Sequence, residues 1–375
     1  MSRWSFDAAE YSRRLTAVQN ELKARQIDFA VITRPQNIFY LTGFRAAHFA
    51  SHLSELHAVL VPAQGQPRLM TRALERAVAQ LQWAPNPVLY MDHEDPYARL
   101  CETVAKLETS GRRVGFEERF MSVRQFQRLT AALKPDSTQD VTGLVEKVAC
   151  VTHPADIACI RKAAKMTQAG FHAGIAATKV GVYPYEIVGA IHSAMYQAGQ
   201  SDFDMAMVCV WGGQTGGRMH DTDTTERLSA GDAVTIEIFG VDNQYKVGAQ
   251  GTIFAGQRPS QSTQESFRTL VDMFHAGRSV LRAGVTSSEV FDAANGPYRA
   301  KWGADYYRKV GGSMGLTIFE IPLVKGNHTP LRAGTCLLMQ TLVDDPVLLT
   351  CSSTVLVTET GYETLTDPIT DMMIV

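Results

Sequence analysis

A short pattern occurs twice in the second half of this chain, as Gly181-Val182-x-x-x-Glu186-Ile187 and as Gly284-Val285-x-x-x-Glu289-Val290. The first opens a helical stretch that ends near Ala198-Gly199, and the second opens one that ends near Trp302-Gly303. Each lies downstream of an amphipathic helix and precedes a strand-like segment. An αβ unit used twice in this way predicts a pseudo-twofold domain with a cleft between its halves. The domain starts at a seam. Thr152-His153-Pro154-Ala155-Asp156 is a helix start, with proline in the first turn and an acid near the N-terminus. Ile157, Ile160, Ala164, Phe171 and Ile175 then follow on one stripe. The domains are therefore expected at 1–152 and 153–375. In the first, residues 8–25 carry Tyr11, Leu15, Val18 and Leu22 at near-helical spacing, and 28–33, 57–62 and 114–117 read as strands. The expected fold class is α/β (α+β): a small α/β domain with a mixed sheet, then the pseudo-twofold domain.

Composition narrows the function. With 45% hydrophobic and 20% charged residues, the 375-residue chain buries a sizeable core rather than staying disordered. Its 36 basic and 38 acidic residues leave a net charge of −2, which gives no electrostatic footprint for a phosphate backbone or an anionic lipid. Nucleic acid and membrane are excluded as expected partners. No apolar run reaches the roughly 18 residues of a membrane span, and the polar start MSRWSFDAAEYSRR has no apolar stretch of the signal-peptide kind. The six scattered cysteines contain no C-x-x-C pair, which fits free thiols in a reducing cytoplasm.

Three places hold residues with chemical reach. Glu237 interrupts the otherwise apolar strand Ala233 to Gly240. A buried carboxylate costs several kcal/mol unless paired or hydrogen-bonded. Glu237 is thus either a structural group bonded to an arginine or to backbone, or a functional one. His220 follows the glycine-rich loop 212–217 and is either a solvated loop residue or an acid/base, since imidazole exchanges a proton near neutrality. Gly312 and Ser313, in Gly311-Gly312-Ser313-Met314-Gly315, offer backbone N–H groups to an oxyanion or carboxylate, or else serve close strand packing.

These strands and turns, with Val357-Thr358-Glu359-Thr360-Gly361-Tyr362-Glu363 beyond them, resemble the pita-bread family of creatinase, proline-specific aminopeptidases and methionine aminopeptidase. The resemblance spans nearly the whole chain. It implies a creatinase-like N-terminal domain and a C-terminal pita-bread catalytic domain. It also implies a homodimer in which one N-terminal domain covers the partner's cleft. Arg45 of Gly43-Phe44-Arg45 would reach a carboxylate there, with a plain surface arginine as the alternative. The family's metal ligands are two Asp, one His and two Glu, and they fall here on Glu237, Gly248, Gly312, Gln340 and Ser352. Only Glu237 has a side chain that ligates in the usual manner, so no metal and no cofactor are expected. The resemblance then points to the metal-independent branch with creatinase and ectoine hydrolase. The expected function is hydrolysis of a non-peptide C–N bond in a small amidine- or amide-like metabolite. His220 falls on the family's essential histidine and would be the acid/base, with Glu237 as its electrostatic or nucleophilic partner. Gln250 and Gln340, on creatinase's guanidinium-binding carboxylates, would orient a less cationic substrate. Glu320 matches a glutamate of peptidase relatives and would line the same site. Two alternatives stand beside this reading: a non-catalytic ligand-binding pita-bread protein, and an Xaa-Pro dipeptidase-like peptidase.

Overall fold

Asp7 accepts the N–H of Glu10 (2.8 Å) and so starts helix α1 (Ala8–Ala24), whose Tyr11, Leu15, Val18 and Leu22 stripe is buried. The computed structural model describes residues 6–45, 56–81, 83, 87–107, 112–150, 152–200, 208–211 and 226–375, with the backbone alone for 208–211. The chain divides into two compact units, Met1–Ala149 and Cys150–Val375. In the first unit α1 is followed by β1 (Phe29–Ile32), α2 (Pro35–Thr42), β2 (Ala58–Pro62), β3 (Arg68–Arg72), α3 (Arg76–Gln80) and β4 (Val88–Tyr90). It continues through α4 (Pro96–Val104), β5 (Arg113–Phe116), α5 (Val123–Leu133), β6 (Ser137–Asp140) and α6 (Leu144–Ala149). Its sheet runs β4-β3-β2-β1-β5-β6, with antiparallel pairs at β1–β2 and β2–β3 and parallel pairs elsewhere, the mixed sheet expected. Just past β5, the fully buried Glu117 accepts the N–H groups of Thr33 (2.6 Å) and Arg34 (2.8 Å) and the amide of Asn37 (2.5 Å). It thereby fixes the start of α2.

The second unit shows what the repeated pattern does. Gly181 and Gly284 take left-handed backbone at φ +90° and +87°, a conformation glycine adopts without steric cost. The Gly181 N–H donates to Leu228 O, and the Leu228 N–H returns to Val182 O. Gly284, Leu331 and Val285 repeat the same two bonds. The glutamate of each pattern then reaches back to start a helix. Glu186 accepts from Tyr183 N at the head of α8 (Pro184–Gln197), and Glu289 accepts from Thr286 N at the head of α10 (Ser287–Trp302), both at 2.8 Å. Helix α7 (Pro154–Ala177) packs on α8, and α9 (Gln261–Ser279) packs on α10.

The strands repeat as well. Between the two helix pairs run β7 (Val208–Trp211), β8 (Ala233–Asp242) and β9 (Tyr245–Phe254), and after them β10 (Gly311–Ser313), β11 (Cys336–Val343), β12 (Leu349–Val357) and β13 (Tyr362–Thr364). Gly231 N–H donates to Ala255 O and Ala255 N–H to Asp232 O. Gly334, Val357 and Thr335 make the same pair of bonds, so β8–β9 and β11–β12 open alike. The sheet runs β10-β11-β12-β9-β8-β7, with β13 beside β12. One of its faces lies on the helices and buries Phe171, Ile191, Ile236, Leu270, Phe274 and Met339 in a continuous core. This is the pita-bread architecture. The other face carries polar side chains.

Candidate functional site

Side chains alternate across a strand. In β8, Ile236 and Ile238 join the helix-side core, which turns Thr235, Glu237 and Phe239 to the opposite face. The register sets Glu237 directly across from Gln250 on β9 and Gln340 directly across from Ser352 on β11–β12. The Cys351–Gly251 pairing joins the two hairpins. There the Gln250 N–H donates to Ser352 Oγ (2.6 Å), and that hydroxyl donates back to Gln250 O (3.2 Å). The Gln340 amide Nε2 donates to Gln250 Oε1. Glu237, Gln250, Ser352 and Gln340 thus form one row across four strands. It is symmetric in origin, for Glu237 and Gln340 stand equally far past Gly231 and Gly334. Two residues along β8, β9 and β12, a second row carries hydroxyls, with Leu342 of β11 opposite Thr350. Thr235 and Thr252 bond at 2.7 Å, and Thr350 lies 3.4 Å from Thr252.

Glu237 is 8% exposed and accepts no hydrogen bond among the described residues. Burial pushes its carboxyl up to about 7, while the nearby Arg308 guanidinium holds it back. Gln250 is also buried, and its Nε2 has no partner among the described residues. A buried polar nitrogen without a partner costs about 1–3 kcal/mol. A carboxylate with idle lone pairs and an amide with idle N–H groups therefore stand opposite each other, complementary to a ligand that both accepts and donates hydrogen bonds.

The structure brings Glu237, Gln250 and Gln340 together. His220 lies outside the described residues. Gly312 and Ser313 belong to β10, where Ser313 N–H donates to Ile321 O (3.0 Å), Ser313 Oγ accepts from Ile321 N (2.9 Å), and the next N–H, of Met314, donates to Cys336 O (2.8 Å). Those two backbone donors are spent within the fold. Glu320 follows on the half-buried segment after β10, and Arg45 is a half-buried residue of the N-terminal unit. Sequence reasoning treated Ser352 only as a lost metal ligand and passed over the threonine row and Arg308. The threonines had a signal, the period-two spacing from Glu237, Gln250 and Ser352 that puts them on the same face.

A divalent ion does not fit this donor set. The five family positions supply one carboxylate, one neutral amide, one hydroxyl and two glycines, whereas a hard or borderline cation needs several anionic oxygens or imidazoles to offset its dehydration. Among the described residues, no three or more His, Cys, Asp or Glu side chains gather as a metal site.

Residues 158–359 match the metallopeptidase family M24, and residues 14–151 match the creatinase/prolidase N-terminal domain. The chain belongs to family M24. An uncharacterized peptidase of Staphylococcus aureus (strain MW2) is 24% identical over 360 residues, covering 94% of this chain and 98% of that protein. Among solved structures, a dipeptidase from Mycobacterium ulcerans superposes with a TM-score of 0.84 at 24% identity over 99% of each chain. An Xaa-Pro dipeptidase from Bacillus anthracis gives 0.85 at 20% identity over 97% of this chain and 100% of that one. These names correct the expectation of a hydrolase for non-peptide C–N bonds, because the relatives are peptidases and dipeptidases. The physical reason lies in the row itself: Gln250 and Gln340 are neutral amides hydrogen-bonded to each other, and one carboxylate remains. That face complements a neutral amide better than a cation.

Among the described residues no helix is long and apolar enough to cross a membrane. Cys101, Cys150, Cys159, Cys336 and Cys351 are free thiols.

Proposed function

We propose that this chain hydrolyses the peptide bond of a short peptide, of the dipeptide class its relatives are named for, using the Glu237–Gln250 pair and no metal held by the described residues. The observation that carries the reading is the pair itself. A buried carboxylate without a hydrogen bond faces, across one strand pair, an amide nitrogen without a partner. A carboxyl at about 7 both takes and returns a proton at neutral pH. Glu237 would remove a proton from water, and the resulting hydroxide would add to the peptide carbonyl carbon. Gln250 Nε2 would donate to the oxygen as it gains negative charge. The proton would then pass to the departing nitrogen as the C–N bond breaks. His220 is proposed as the second proton carrier, on its sequence position. Gln340 fixes the orientation of Gln250 through the hydrogen bond its Nε2 donates to Gln250 Oε1.

The test is a panel of Xaa-Pro and other dipeptides followed by mass spectrometry, in chelator and with added Mn2+. Turnover that persists in chelator and falls at least about a hundredfold in Glu237→Gln is expected. Turnover that appears only with Mn2+ overturns the reading, and binding without any product assigns the chain to ligand binding instead. The homodimer is proposed on the resemblance alone, and light scattering of the intact protein checks it.

A further inference from the structure

Two of the family's ligand positions are glycines here, and in both cases a ring of this chain occupies the space a side chain would need. A Cβ built on Gly248 would lie 2.9 Å from Phe239 Cε1 and 3.2 Å from Cδ1. Phe239 is the residue after Glu237 on the same face of β8, and it is buried. A Cβ built on Gly312 would lie 2.7 Å from Phe319 Cδ1, 2.9 Å from Ile321 O and 3.2 Å from Pro322 Cα, so the Phe319 ring and the backbone it leads into close this place together. Phe319 holds that place at φ +61°, a left-handed backbone that a bulky residue adopts only under strain, with its N–H donating to Ser313 O at 2.6 Å. Over the Phe319 ring, 3.7 Å from its centroid, sits the Lys309 ammonium, which makes no hydrogen bond or ion pair among the described residues.

We propose that Phe239, Phe319 and Lys309 form a built-in plug of the ancestral metal site: two rings fill the ligand volume, and a fixed cation beside Gly312 repels a second positive charge. Loss of donors and filling of the cavity are then separate changes. Restoring the donors alone does not restore metal binding. Burial and, after it, the neighbouring Arg308 hold the Lys309 ammonium below its usual range.

Calorimetric titration with MnCl2 tests this without reference to turnover, so it stands or falls apart from the peptidase reading. The donor-restored variant Gly248→Asp/Gly312→His/Gln340→Glu/Ser352→Glu is expected to bind no stoichiometric Mn2+. The same variant with Phe239→Ala, Phe319→Gly and Lys309→Met added is expected to bind it and to release protons on doing so. Stoichiometric binding by the donor-restored variant with rings and lysine intact overturns the plug. Should the larger variant not fold, a double-mutant cycle on the otherwise unaltered protein decides the steric part. Gly248→Ala is expected to lower Tm strongly when Phe239 is present and little when Phe239→Ala is present. An equal fall in both backgrounds overturns it.

Discussion

Glu237 shows how one residue's setting converts a common side chain into a working group. Its carboxyl is pushed to about 7 mainly by burial, with only Arg308 opposing the shift. As a base it works ionised, so kcat/KM for a dipeptide is expected to climb as pH rises through about 7 and then to level off. Arg308→Met removes the opposing charge and should move that limb to higher pH, which a pH–rate profile of both proteins would reveal. Gln250 acts on the other side of the reacting carbonyl. Gln250→Leu deletes the oxyanion donor and is expected to cost about 10²–10³ in kcat with a smaller effect on KM. A rise in KM with kcat unchanged would assign Gln250 to ground-state binding instead. Glu237 was legible in the sequence because a lone acid in an apolar strand demands an account. Gln250 and Gln340 were reached only through the resemblance, although Gln340 interrupts the apolar run Leu337 to Val343 much as Glu237 interrupts its own strand. The unpartnered Nε2 was not legible at all, because it depends on which way Gln340 turns the amide.

At the scale of elements, the repeated pattern is a helix-start device, and its residues divide the labour. Glycine supplies the left-handed turn, and glutamate returns to the backbone N–H three residues earlier. In the second copy Thr286 completes the box by accepting from Glu289 N (3.3 Å). Thr286→Ala is therefore expected to cost about 1 kcal/mol of stability in denaturant titration while leaving turnover unchanged. A drop in activity at constant stability would tie that helix end to the site. The strands were harder to read than the helices. A single strand shows its alternation, but whether Glu237 meets Gln250 or its neighbour depends on the Asn243–Gln244 turn, where both residues take positive φ and set the register of the whole hairpin. A slip of one residue would send Gln250 into the helix-side core and Ala249 to the site.

At the scale of the whole molecule, two carboxyls among the described residues are raised by burial, one in each unit: Glu117 in the first and Glu237 in the second, both to about 7 from an ordinary 4.5. In such a group the folded state keeps a proton that the unfolded chain has already released. Its stabilising contribution is complete below the unfolded value and is lost as pH rises through the folded one. Asp28, held low chiefly by Arg113, and Asp140, held low by hydrogen bonds with Thr142 against its own burial, work the other way, and their contribution is already complete above the ordinary carboxylate range. Stability against urea is expected to fall between pH 5 and about 7.5, and Glu117→Gln should flatten that fall. A stability that rises across the interval would show that neither carboxyl keeps its proton. By itself the sequence determined the α/β class, the doubled unit and its helix starts, and the single acid in an apolar strand. Those are local properties, written in periodicity, glycine and capping residues. Only the tertiary structure decided that Glu237, Gln250, Ser352 and Gln340 share one row, and that Phe239 and Phe319 fill the room left by Gly248 and Gly312. Both outcomes depend on strand register and on volumes brought together from distant parts of the chain, which no single stretch of sequence encodes.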